Sequence, residues 1–177
     1  MKKKTLALVL ALTLLVAGVV GGTLAWLTDQ TAEVKNTFTV GDINIGLTET
    51  TADYKMVPGN TIAKDPTVTV KANSEACWLF VKVTESTDLK DFITYAIAEG
   101  WTALPGVDGV YYREVPASAA DQTFSVLAGD AVTVKSDVTR TMLETAKADA
   151  PTLTFQAYAI QKDHFATADA AWAEVSK

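Results

Sequence analysis

Apolar side chains recur at every second position along this chain, and that period decides what it can fold into. In a strand, successive side chains point to opposite faces, so a two-residue repeat marks a half-buried strand. NTFTVGDINIGLTE places Phe38 and Val40 in one frame and Ile43, Ile45 and Leu47 in the other. The change falls at Gly41-Asp42, which reads as a bulge or bend, or as a break between two strands. PTVTVKA sets Val68 and Val70 on one face. After the turn-like Asn73-Ser74-Glu75, CWLFVKV alternates Cys77, Leu79, Val81 and Val83 against Trp78 and Phe80, so both faces of that strand are expected to be covered.

Further along, DFITYAIAEGW reads as a strand or a short helix, with Ile93, Tyr95 and Ile97 favouring the strand. WTALPGVDGVYYREV predicts a hairpin whose tip holds Pro105, Gly106, Asp108 and Gly109. TFSVLAGDAVTVKSDV aims Phe124, Val126, Val132 and Val134 inward, and TLTFQAYAIQK does the same with Leu153, Phe155, Ala157 and Ala159. Helical spacing is confined to Thr141–Ala148 and to ATADAAWAEV, which Trp172 should anchor. About seven to nine short strands without a βαβ rhythm predict an all-β, antiparallel sandwich with few short helices.

The chain opens with MKKK and then carries no charged residue from Thr5 to Trp26. A basic cap, an apolar run and small residues at its end are the marks of a secretory signal helix. Gly18, Gly21 and Gly22 weaken the outer end of that helix, and Thr23 and Ala25 occupy the −3 and −1 positions of a cut that would leave Trp26 first. The run is also long enough to span a bilayer uncut, which makes the leader the one expected tie to a membrane. The expected division is 1–25 leader and 26–177 a single domain.

Removing 1–25 takes three lysines and no acids, so 12 basic residues face 21 acidic ones, a net charge of −9. That balance excludes nucleic acid as a partner, because phosphates require a basic footprint. It suits a dispersed extracellular protein. With one cysteine, Cys77, no internal disulfide can form, and its alternation with Leu79 and Val81 places it in the core.

Groups able to carry chemistry are sparse. His164 is the single histidine, neither HExxH nor CxxC occurs, and the acids follow no calcium-loop spacing. A Cys77–His164 pair would require the cysteine to leave its core face. Trp101, Tyr111 and Tyr112 can form either a glycan-stacking patch or cross-strand packing on the hairpin. No catalytic group, metal or cofactor is expected.

The stretch LAWLTDQTAEVKNTFTVGDINIGLTE resembles the amino-terminal signature of the TasA/camelysin family of Gram-positive bacteria. The residues that carry the likeness are Gly21, Gly22, Thr23, Ala25, Trp26, Asp29, Asn36, Phe38 and Gly41, followed by Ile43, Ile45 and Leu47. Similar matches follow at Val57-Pro58-Gly59, CWLFVKV, Ala128-Gly129 and Ala157–Gln161. The resemblance implies export, cutting by a SipW-type signal peptidase, a jelly-roll-like sandwich, and service as a secreted subunit of a biofilm-matrix or cell-surface fibre. It implies as partners the protein itself or related matrix subunits. This chain lacks the long insertions of the larger fibre former, which extends the implied roles to a minor subunit or an accessory. Some relatives are labelled metalloproteases, so a secreted protease is one alternative; a monomeric glycan- or protein-binding module is another.

Assembly has a physical rationale of its own. An extended segment over 26–40 can be donated to a neighbour's sheet edge, its backbone pairing and its alternate side chains seated in pockets. The side chains expected to mediate this are Leu27, Asp29, Val34, Asn36, Phe38 and Val40.

Overall fold

The computed structural model of the chain describes residues 42–50 and 55–177. The expected leader, the cleavage residues Thr23, Ala25 and Trp26, and the assembly residues Leu27, Asp29, Val34, Asn36, Phe38 and Val40 lie outside the described residues.

Ten strands and three short helices follow one another along the described chain. The order is β1 (Ile45–Thr48), β2 (Thr61–Ala63), β3 (Thr67–Val70), β4 (Cys77–Glu85), α1 (Leu89–Phe92), β5 (Ile93–Thr94), β6 (Thr102–Ala103) and β7 (Val110–Val115). Then come β8 (Gln122–Ser125), β9 (Ala131–Val134), α2 (Arg140–Ala146), β10 (Leu153–Gln161) and α3 (Ala168–Val175). Every strand pairing is antiparallel.

One layer has the order β10-β4-β7-β6. The other is built from two three-stranded sheets, β1-β3-β8 and β2-β9-β5, which backbone bonds join end to end. β2 runs into β3 through Lys64-Asp65-Pro66, where the proline removes a ladder donor. β8 runs into β9 through a 3-10 turn at Ala128–Asp130, with Gly129 and Asp130 at positive φ. Continuing the β5–β9 register would set Ile97 opposite Asp130, yet it faces Leu127, so the three turn residues are looped out. Backbone bonds from Lys64 N–H to Asp130 O (2.7 Å) and from Val126 N–H to Pro66 O (2.9 Å) carry the pairing across the break.

The period-two reading of CWLFVKV holds on both faces. Cys77, Leu79, Val81 and Val83 point between the layers, where they meet Val68, Val70, Val126 and Trp101. Trp78 and Phe80 point outward and are covered by α3 through Ala168, Ala171 and Trp172. Thr167 caps α3 by accepting from Ala170 N–H, and the Trp172 ring lies 5.3 Å from Phe80 and 5.2 Å from Tyr158. A third cluster joins β9, α1 and α2 around Leu127, Val132 and Val134.

The predicted hairpin forms between β6 and β7, with Thr102 opposite Tyr112. Gly109 at its base has φ +72, and a Cβ there would run into the Val83 carbonyl, whose own N–H bonds Gly109 O at 2.7 Å. DFITYAIAEGW is both of the alternatives in turn: one helical turn, α1, followed by β5.

Two carboxylates latch the strand ends. Asp65 accepts the Thr50 N–H at 2.9 Å and the Thr50 hydroxyl. Asp121 accepts the Ala72 N–H at 2.8 Å and pairs with Lys71 at 3.0 Å. Thr50 holds the first carboxyl below its ordinary value, and the Ala72 N–H, then Lys71, does the same for the second. A depressed carboxyl contributes its stability above the unfolded value of about 4 and loses it as pH falls through the folded value. The urea midpoint is therefore expected to hold between neutral pH and about pH 5, then to fall below about pH 4, less steeply in Asp121→Asn. A midpoint insensitive to acid would contradict the two latches.

Candidate assembly edge

Each layer of strands ends in edges, and an edge with unused N–H and C=O groups is a template for another strand unless something blunts it. Most edges here are short: β2 has three residues and β5 and β6 two each. β10 is different. It is nine residues long, LTFQAYAIQ, and pairs with β4 on one side only. On its other side no strand pairs with it among the described residues. It contains no charged residue and no proline, the two common devices that keep an edge solitary.

The register fixes which backbone groups point outward. Lys162 N–H bonds Ala76 O, and Ser86 N–H bonds Thr152 O, each at 2.9 Å, so the even-numbered residues of β10 turn their donors and acceptors to β4. Val83 N–H bonding Gly109 O agrees, since it turns the odd-numbered residues of β4 toward β7. Leu153, Phe155, Ala157, Ala159 and Gln161 consequently direct N–H and C=O away from the sheet. Most of these same residues aim their side chains at the inter-layer core, where Ala157 and Ala159 occupy little volume.

β1 borders the same side of the molecule. Lys71 N–H bonds Asn44 O at 2.8 Å, so Ile45 and Leu47 turn their backbone groups outward too. Ile43 and Ile45 pack on the core beside Ala157 and Ala159, and Leu47 is an exposed large apolar side chain. An open cleft of about 420 Å³, lined by Ile43, Ala159, Gln161, His164 and Phe165, sits at one end of this seam. Toward the other end Lys64 is 7% exposed, pairs with Glu49 at 2.6 Å and lies 5.4 Å from the centre of the Phe155 ring. The seam thus joins backbone that is unpaired among the described residues, small inward side chains and an apolar floor.

The other sequence-derived candidates do not converge. Trp101 is buried between the layers and donates its indole N–H to Ser125 O at 2.9 Å. Tyr111 faces the same core, while Tyr112 faces outward onto Trp78 at 5.8 Å and Phe80 at 6.4 Å. The three aromatics therefore form no single stacking surface. Cys77 is fully buried and burial pushes its thiol up to about 11, which leaves it inert as a nucleophile at neutral pH. His164 is exposed in a 3-10 turn, Lys162–His164. No group of three His, Cys, Asp or Glu able to hold a metal occurs among the described residues.

Sequence reading missed the inward-facing charge of β7. Arg113 shares the inner face of β7 with Tyr111, its guanidinium 3.9 Å from the Phe124 ring centre and 5.3 Å from that of Trp101. Its Nε has no hydrogen-bond partner among the described residues, and desolvation lowers its pKa. Strict alternation along VYYREV carries the signal, since it sets Arg113 in phase with Tyr111 and Val115.

Comparison of the chain with protein-family models, with curated proteins and with solved structures finds no match.

Proposed function

We propose that the protein is a secreted structural subunit of an extracellular matrix or surface fibre. In this reading cleavage near Ala25 frees the segment 26–40, which adds as a strand to the β10 edge of the next molecule. The observation that carries the reading is that edge: nine residues, uncharged, without proline, and unpaired on its outer side among the described residues. The likeness of the leader-proximal stretch to the TasA/camelysin signature supports the same assignment. It also favours a jelly-roll connection of the two layers and a SipW-type peptidase as the processing enzyme.

Cleavage gives the assembly its timing. While the leader is attached, the donor segment stays at the membrane, and the β10 edge has no strand to take up. This keeps an aggregation-prone edge from pairing inside the cell. The donor segment has few large aliphatic side chains, Leu27 and Val34 before Phe38, so backbone bonds supply most of its hold. Small inward residues on the acceptor, Ala157 and Ala159, suit such a segment.

A chain beginning at Trp26 is expected to form filaments visible by electron microscopy, and one beginning at Val40 to stay monomeric. Equal behaviour of the two would remove the role assigned to 26–40.

A further inference from the structure

A second cleft, of about 410 Å³, opens near the end of β4 and is lined by residues of α1, β5, β7 and the segment after β9, none of them on β10. We propose that it binds an acidic sugar unit, a uronic acid residue of an extracellular polysaccharide, and that the protein thereby grips a glycan as well as its own kind. The proposal does not depend on fibre formation, since a solitary molecule has the whole cleft.

The walls supply what a pyranose carboxylate needs. Tyr95 and Tyr111 give two aromatic rings and Ile97 an aliphatic patch, suited to the C–H face of a sugar ring. Tyr95 is held in place by its hydroxyl, which donates to the Glu85 carboxylate. Burial, and then Glu85, raise the phenol's pKa, so it remains a neutral hydroxyl at any physiological pH. Glu85 keeps a second oxygen as acceptor for sugar hydroxyls.

The charge at the rim sets the sign of the ligand. Lys90 and Lys135 both line the cleft, and Lys135 Nζ donates to the Lys90 carbonyl at 2.5 Å, which draws the two residues together. Neither ammonium has an ion-pair partner among the described residues. Two ammonium groups against the one carboxylate of Glu85 leave the cleft net positive, a place for a carboxylate brought from outside. The volume fits about one or two sugar rings, within the usual range for small-ligand sites.

Titration calorimetry on the full chain in detergent, with digalacturonic acid as the probe, tests this. Saturable binding is expected. The neutral galactose disaccharide and succinate, a dicarboxylate without a ring, should each bind at least about tenfold more weakly, because each lacks one of the two recognised features. Lys90→Glu, an exposed change, and Thr94→Trp, which fills the cleft from its exposed rim, should each weaken binding about tenfold or more with unchanged thermal melting. Lys82→Glu, equally exposed but outside the cleft, should leave it unaltered. Absence of digalacturonate binding, equal binding of succinate, or full binding by both Lys90→Glu and Thr94→Trp would overturn the proposal.

Discussion

Ala157→Pro is expected to abolish filament growth while leaving the single molecule folded, and Gln156→Pro, one position away, to do the reverse damage. The two lose N–H groups that point in opposite directions. At Ala157 the N–H points away from β4, so its removal takes no bond from the molecule's own ladder. It does take a donor from the edge, and the ring projects into the space an added strand would fill. Filaments should be missing even at roughly a hundredfold the concentration at which the unaltered chain forms them, a shift of about 2.7 kcal/mol. The circular dichroism spectrum should remain that of the parent. Gln156 turns its N–H to Lys82, so proline there breaks the β10–β4 ladder and should yield an unfolded or insoluble chain. Filaments formed by Ala157→Pro as readily as by the parent would move the acceptor away from β10.

Phe80→Ala carries the largest expected loss of stability, about 3–5 kcal/mol, because the ring is fully buried and its removal opens a cavity. It lies under α3, 5.3 Å from the Trp172 ring, with Tyr112 on its other side. Its loss leaves both α3 and the outward face of the four-stranded layer without their shared filler. Urea unfolding of the two chains measures it as a fall in midpoint at unchanged slope. A loss under about 1 kcal/mol would mean that α3 does not rest on this residue.

The period of two made the strands legible, and its failures are local. CWLFVKV revealed a strand covered on both faces because large apolar residues fill both of its frames. The hairpin was legible from Pro105, Gly106 and Gly109, whose backbone needs match a tight turn. The Ala128–Asp130 stretch is a looped-out triplet inside one layer, which alternation does not disclose because it says nothing of what lies across the break. Tyr111 and Tyr112, neighbours in sequence, serve opposite faces, as alternation along VYYREV requires.

The edge itself was not legible. LTFQAYAIQ alternates like a central strand, and a strand's own sequence does not say which neighbours it has. Its missing charges acquire meaning only once it is placed last in the order β10-β4-β7-β6. The acidic sugar cleft is equally hidden, since Glu85, Lys90, Tyr95, Tyr111 and Lys135 are brought together from several elements with no spacing to announce them.

Donor and acceptor can be separated onto two chains. One begins at Val40 and keeps the β10 edge but lacks the segment; the other begins at Trp26 and keeps the segment but carries Ala157→Pro. Sedimentation of each alone should give monomers, and sedimentation of the mixture a one-to-one dimer that grows no further. Two monomers in the mixture at every concentration would contradict the exchange of an amino-terminal strand between molecules.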